Sequence, residues 1–212
     1  MLAAKGRKKR KTNPSNERDM KTDIILAGVG GQGILSIAAA IGLAAVSKDL
    51  YLKQSEVHGM SQRGGDVQSH LRISEAEVAS DLIPLGAADL ILSVEPMEAL
   101  RYLPYLSPNG YVVTNLTPFN NITDYPDVDE LLAKVKSLPR VVALDADAIA
   151  KEAGSARSSN IVMLGAASPF IHISFESLEE GVRELFGRKG AEVVDANLKA
   201  LRAGRAFAEA NR

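Results

Sequence analysis

Two stretches of this 212-residue chain hold residue types and spacings that could do chemistry. The first is Gly28-Val29-Gly30-Gly31-Gln32-Gly33, a G-x-G-x-x-G run between an apolar segment and a helical pattern. Glycines in that setting allow a tight turn with positive φ and let a ligand approach the backbone. The amino end of the following helix offers N–H groups to an anion. The second is Glu56-Val57-His58-Gly59-Met60-Ser61-Gln62-Arg63-Gly64-Gly65. It sets a carboxylate, an imidazole, a thioether and a guanidinium among glycines with no core-forming pattern, which is the composition of a loop that touches something else. Gly59, Gly64 and Gly65 give backbone access, while His58, Gln62 and Arg63 supply donors for anionic or carbonyl groups.

The glycine run alone leaves three readings open: a dinucleotide site, a phosphate or pyrophosphate contact, or a packing device that brings a helix close to a sheet. A nicotinamide site expects an acid at the end of the second strand to hold the ribose. That region reads Leu52-Lys53-Gln54, and Glu56 comes only after it. His58 has no second histidine close in sequence, and Ser61 lacks the glycine elbow of hydrolases. The chain has no cysteine, which excludes disulfides, zinc-thiolate sites and thiolate ligation of an iron–sulfur cluster by this chain itself. No metal site is expected.

The elements that would position these stretches follow from pattern. A short apolar strand at 23–27 leads into the glycine run, and a helix of small residues follows over about 33–47. A second short strand at 50–52 leads into the 56–65 loop. That loop should leave the carboxyl end of its strand, on the same edge as the glycine run, where open α/β sheets bind ligands. Alternation predicts a strand over 67–73, and a continuous apolar run predicts another over 89–94, with Glu95 at its carboxyl end. Pro96 opens a helix expected to reach about Leu106, and Ser107-Pro108-Asn109-Gly110 marks a turn before a strand at 111–114. Residues 118–129 read as a loop. A strand at 141–144 precedes a helix over 145–153, and a small-sided helix covers 160–167. Ser177-Leu178-Glu179-Glu180 fits a capping box for a helix ending near Gly187, and a last helix spans about 190–210. The fold expected is α/β and Rossmann-like, a mostly parallel sheet flanked by helices, with C-terminal helices.

Composition sets outer bounds. Hydrophobic residues make up 46% with only 5% aromatics and no Trp, so the core must be built from Ala, Leu, Ile and Val. No apolar run reaches the roughly 18–20 residues a bilayer span needs. A cytoplasmic protein without a membrane partner is expected. Residues 1–19 hold seven basic and two acidic residues, a net of +5, while the rest holds 18 basic and 24 acidic, a net of −6. The basic arm has no nucleic-acid motif behind it and no apolar signal region. It reads as a disordered polar leader before a natural start at Met20, with 20–212 as one domain and no nucleic-acid partner.

Together, the 28–33 and 56–65 motifs resemble those of the gamma-type subunits of the 2-oxoacid:ferredoxin oxidoreductase family, most closely the beta-type subunits of its indolepyruvate branch. The resemblance runs over about 20–210 and includes Ser158-Ser159-Asn160 leading into a helix of small residues. It implies an enzyme complex that oxidatively decarboxylates aryl 2-oxoacids with coenzyme A, giving acyl-CoA, carbon dioxide and reduced ferredoxin. It also implies that thiamine diphosphate, Mg and [4Fe–4S] clusters sit on a large alpha-type partner, with ferredoxin as electron acceptor. This chain would bind no cofactor alone. Its supporting residues would be His58, Arg63 and Glu56. Cofactor contacts would come from Gly28, Gly30, Gly31, Gln32, Gly33, Met60, Ser61, Gln62, Gly64, Gly65 and Asn160. The competing readings are a stand-alone NAD(P)-dependent oxidoreductase and a non-catalytic nucleotide-binding module.

Overall fold

The computed structural model describes residues 20–57, 65–120 and 122–212. Its core is a six-stranded sheet of order β2-β3-β1-β4-β5-β6. The central strand β1 (Lys21–Val29) is parallel to β4 (Ala88–Ser93), which continues in parallel to β5 (Leu106–Asn115) and β6 (Val141–Leu144). On the other side β3 (Asp66–Ser74) runs antiparallel to β1 and to the edge strand β2 (Tyr51–Val57). The continuous apolar run Ile24-Ile25-Leu26-Ala27 is fully buried because both faces of the sheet are covered.

One face packs under α1 (Ile34–Ser47), α5 (Ser159–Ala167), α6 (Phe175–Phe186) and α7 (Ala191–Asn211), around Leu26, Leu90, Leu92 and Val113. The other face packs Ile25, Ala27, Ile91 and Val112 against Ala99 of α2 (Pro96–Arg101), Tyr102 and Ile83. The helices α3 (Val128–Lys136) and α4 (Ala146–Glu152) flank β6. Among the described residues no helix is long and apolar enough to cross a membrane.

The α/β class with a mostly parallel sheet and C-terminal helices is observed, with several boundaries changed. The second strand runs to Val57 and forms a hairpin with β3, so Glu56 lies in a strand rather than a loop. The helix opened by Pro96 stops at Arg101; Leu103-Pro104-Tyr105 form a single tight turn instead, because Pro104 cannot continue an α-helical ladder. The Ser107–Gly110 turn is a bulge inside β5, where the register against β4 shifts between Ala88 and Leu90. Helix α3 begins inside the segment read as a loop. Asp127 caps it by accepting from the Glu130 N–H at 3.0 Å, and Leu131 and Val135 bury its inner side. For α6 the cap is Ser174, one residue before the helix, and not Ser177, whose N–H donates to the Ser174 hydroxyl.

Candidate functional site

The parallel strands all end on one edge. From β1 the chain crosses through α1 to β2 on one side, while β4 leads to β5 and β6 on the other, so the order reverses between β1 and β4. Open α/β sheets bind ligands at that switch point. The glycine run Gly28–Gly33 lies there. Gly31 and Gly33 have φ of 104° and 82°, left-handed values that a side chain would strain. Gly33 also has no room, since a Cβ would run into the amide of Asn160. That amide donates to the Gly33 carbonyl at 3.1 Å, which joins the start of α1 to the start of α5.

The glycine loop is held from within. The Gln32 side chain accepts from Val29 N–H at 2.8 Å and donates to the Val94 carbonyl at 3.4 Å, bridging the ends of β1 and β4. Gly30 N–H donates to the Gly65 carbonyl at 2.9 Å. The two sequence motifs therefore meet, with the base of the β2–β3 hairpin bonded to the glycine run. His58, Gly59, Met60, Ser61, Gln62, Arg63 and Gly64 lie outside the described residues. Of that segment, Glu56 pairs with Ser69 across the hairpin and Gly65 precedes β3.

Glu56 stands nearer the end of its strand than the sequence suggested, yet it is badly placed for a dinucleotide ribose. The antiparallel β3 occupies the place beside β1 where a dinucleotide fold has its second strand. Two strand spacings, roughly 10 Å, separate β2 from β1.

Beside the glycine loop lies a cleft of about 220 Å³ lined by Gln32, Val94, Asn115, Thr117, Pro118, Phe119, Asp147, Ser159, Asn160 and Met163. Helices α1 and α5 both begin at it, and neither has a side-chain cap. Two amino-terminal dipole ends favour an anionic group there. Asn115 is oriented by accepting from Ala146 N–H at 3.0 Å and donating to Asp147 at 3.2 Å. Of these lining residues the sequence analysis names Gln32, Ser159 and Asn160 but not Asn115, Thr117 or Asp147. The usable signal was position: Asn115 and Thr117 stand at or just after the carboxyl end of a parallel strand.

Next to the cleft is a buried polar group that the sequence did not reveal. Glu95 is 0% exposed. One carboxylate oxygen caps α2 by accepting from Glu98 N–H at 2.9 Å. The other accepts from Phe119 N–H at 3.4 Å and from the Tyr125 hydroxyl. Burial, with the Glu95 bond second, pushes the Tyr125 phenol above its ordinary value and keeps it a donor. Glu98 is also buried, and burial raises its carboxyl although Arg101, bonded at 2.8 Å, pulls it back. Tyr102 donates to Asp66 at 3.4 Å, and burial followed by the Asp66 charge raises its phenol. Among the described residues no group of three or more His, Cys, Asp or Glu side chains is arranged to hold a metal ion.

Comparison with known proteins agrees with this fold. Residues 23–207 match the family of pyruvate ferredoxin/flavodoxin oxidoreductases. The chain is similar to the indolepyruvate oxidoreductase subunit IorB of Archaeoglobus fulgidus, 38% identical over 194 residues, covering 87% of this chain and 94% of that subunit. It is 40% identical to the subunit of the same name from Methanothermobacter thermautotrophicus, covering 87% and 96%. Among solved structures, the 2-oxoglutarate:ferredoxin oxidoreductase of Magnetococcus marinus, with 2-oxoglutarate, coenzyme A and succinyl-CoA bound, superposes with a TM-score of 0.72 at 26% identity. The match covers 92% of this chain but 32% of that one, so this chain spans about a third of it. The gamma subunit of a keto/oxoacid ferredoxin oxidoreductase from Geobacter sulfurreducens shares the fold, with a TM-score of 0.68 over 90% of this chain and 98% of that one.

Proposed function

Because the chain belongs to the pyruvate ferredoxin/flavodoxin oxidoreductase family, we propose that it is the small subunit of a cytoplasmic complex acting on indolepyruvate and other aryl pyruvates. It works with a large alpha-type partner, and ferredoxin accepts the electrons of the complex. The similarity to indolepyruvate oxidoreductase subunits over nearly their whole length supports this substrate class. Those relatives do not favour a stand-alone NAD(P) enzyme or a nucleotide-binding module, and β3 beside β1 disfavours the dinucleotide geometry as well.

Without cysteine this chain has no thiolate for a cluster, so the [4Fe–4S] clusters fall to the partner, as do thiamine diphosphate and its Mg. When bound there, thiamine diphosphate supplies the decarboxylation chemistry and the clusters carry the electrons. This chain contributes position and electrostatics. The observation that carries the reading is the Gly30–Gly65 bond, which joins the glycine run beside a polar cleft to the last residue of the second motif. The amino ends of α1 and α5 favour a phosphate of coenzyme A or the carboxylate of the 2-oxoacid. In this proposal Arg63 and His58 bind that anion, Glu56 orients them, and Met60, Ser61, Gln62 and Gly64 line the approach. Gly31, which has open space beside its Cα, lets the partner or cofactor come close to the backbone, while Gly28 and Gly33 make room for Val94 and Asn160 behind the loop.

The test is anaerobic co-expression with the large partner and a ferredoxin- or viologen-linked assay. Indolepyruvate and phenylpyruvate should be turned over faster than pyruvate; the reverse order would remove the aryl assignment. The double variant Arg63→Ala, Gly64→Ala should lower kcat/KM by roughly 100-fold, the scale of losing a charged contact of about 3 kcal/mol. Intact assembly together with intact turnover would show that the 56–65 segment does not serve the site.

A further inference from the structure

The wall of the cleft formed by Thr117, Pro118 and Phe119 belongs to the irregular segment between β5 and α3. A segment without ladder bonds keeps a defined shape only through the groups it is tied to. At its start, Leu116 N–H donates to the Leu144 carbonyl at 2.8 Å, and at its end Asp127 caps α3. Between these points, two of its donors, Phe119 N–H and the Tyr125 hydroxyl, converge on one oxygen of Glu95.

We infer that Glu95, with Tyr125 as its hydroxyl donor, is a positioning pair that sets the outer wall of the cleft for the ligand held there. This rests on the reading that the cleft meets coenzyme A or the 2-oxoacid. Three features point to it. Capping a six-residue helix needs no charge, since a serine or asparagine does the same, and burying a carboxylate is costly unless several donors meet it. Here the donors come from α2 and from two points of the wall segment. The preceding residue completes the arrangement: Val94 receives the Gln32 amide on its carbonyl and lines the cleft itself. Two consecutive residues at the end of β4 thus hold both sides of the cleft, Val94 the glycine loop and Glu95 the opposite wall. Glu95 touches no reacting atom in this account; it acts through Phe119 and its neighbours.

The experiment uses the assembled complex with Tyr125→Phe and Glu95→Gln. Amide hydrogen exchange at Thr117 and Phe119 is followed beside steady-state kinetics with coenzyme A and indolepyruvate as varied substrates. Tyr125→Phe should speed exchange at these amides about tenfold and raise KM for coenzyme A or for the 2-oxoacid about fivefold, with kcat within about twofold. Glu95→Gln keeps one neutral acceptor for Phe119 and Tyr125 but turns its amide nitrogen on the Glu98 N–H. Exchange at Thr117 and Phe119 should therefore rise no more than in Tyr125→Phe while exchange at Glu98 rises as well, a division that a general loss of stability would not produce. Unchanged exchange in both variants overturns the positioning pair. Faster exchange with both KM values unmoved overturns its role toward a ligand. Thr117→Trp, at an exposed wall position, separates the two failures. If that bulk in the cleft also leaves both KM values unmoved, the cleft meets no ligand and the underlying reading falls. If it raises one of them, only the Glu95–Tyr125 inference is lost.

Discussion

The face of the sheet beneath α1, α5, α6 and α7 buries Ile24, Leu26, Leu90, Leu92 and Val113, whereas the opposite face buries Asp23, His70, Glu98 and Tyr102 among its apolar residues. The first face closes by shape. Gly165 and Gly204 bring α5 and α7 into backbone contact, so that a Cβ on Gly165 would meet the Leu201 carbonyl and one on Gly204 the Val162 carbonyl. Gly181 does the same for α6 against Ala40 of α1. The second face closes by pairing. Asp23, with no exposed side-chain surface, is held by Arg72 at 2.8 Å and Lys21 at 2.6 Å. His70 accepts the Ile83 N–H on Nδ1 at 3.0 Å and sets its ring edge-on to Tyr105, 5.3 Å between centroids. Close-packed apolar contacts respond to volume and hardly to pH, while paired polar groups respond to charge. Glu95 and its tie to the cleft wall continue the paired polar groups to the carboxyl edge of the sheet.

The sharpest way to break this comparison is to add volume to the first face. Gly204→Ala should destabilise the chain by about 3 kcal/mol, because the clash is with backbone and the helices must separate. A urea midpoint within error of wild type would mean that close approach is not what closes this face. Removing charge from the second face comes next. Arg72→Met should cost about 2 kcal/mol, less than a fully orphaned buried charge because Lys21 stays. Adding Asp23→Asn should recover part of the loss in the same unfolding measurement, and no recovery would argue that Arg72 matters by packing.

The smallest effect is one of pH. Burial lowers the His70 imidazole below its ordinary value, against the opposing pull of Asp81. The folded protein therefore takes up the proton at lower pH than the unfolded chain. Stability linked to His70 is present above the unfolded value of about 6.5 and is lost as pH falls below it. His70→Asn, with a carbonyl acceptor for Ile83 but no titration, should lose less stability than wild type between about pH 7.5 and pH 5.5. Equal losses would separate acid sensitivity from this residue, and Gly204→Ala serves as a control whose pH slope should match wild type.

How much of this was legible in the chain varied by element. The strand 23–27, the glycine run and the small-residue helices were readable because their patterns act over a few residues. Helix α3 was hidden because Pro118, Asn120, Asn121, Asp124 and Pro126 give the stretch before it a loop composition, and its amphipathic run begins only after Asp127. The hairpin of β2 was missed because Lys53, Gln54, Ser55 and Glu56 suit a half-exposed edge strand as well as a loop. Glu95 was visible only as the residue after a strand. Nothing near it in sequence announces Tyr125, 30 residues away, as its partner.

Local pattern and residue type were sufficient for the α/β class, the glycine turn before α1 and the want of thiolates for a cluster, since each depends on neighbouring residues or on composition. Strand order was not available locally. It took the folded sheet to insert β3 between β2 and β1, to bond Gly30 to Gly65, and to set Val94 and Glu95 between the two walls of the cleft. Those contacts join segments whose separation in the chain carries no periodic signal. They form because both faces of β1 and β4 must be covered at once, a condition of the whole core and not of any one stretch.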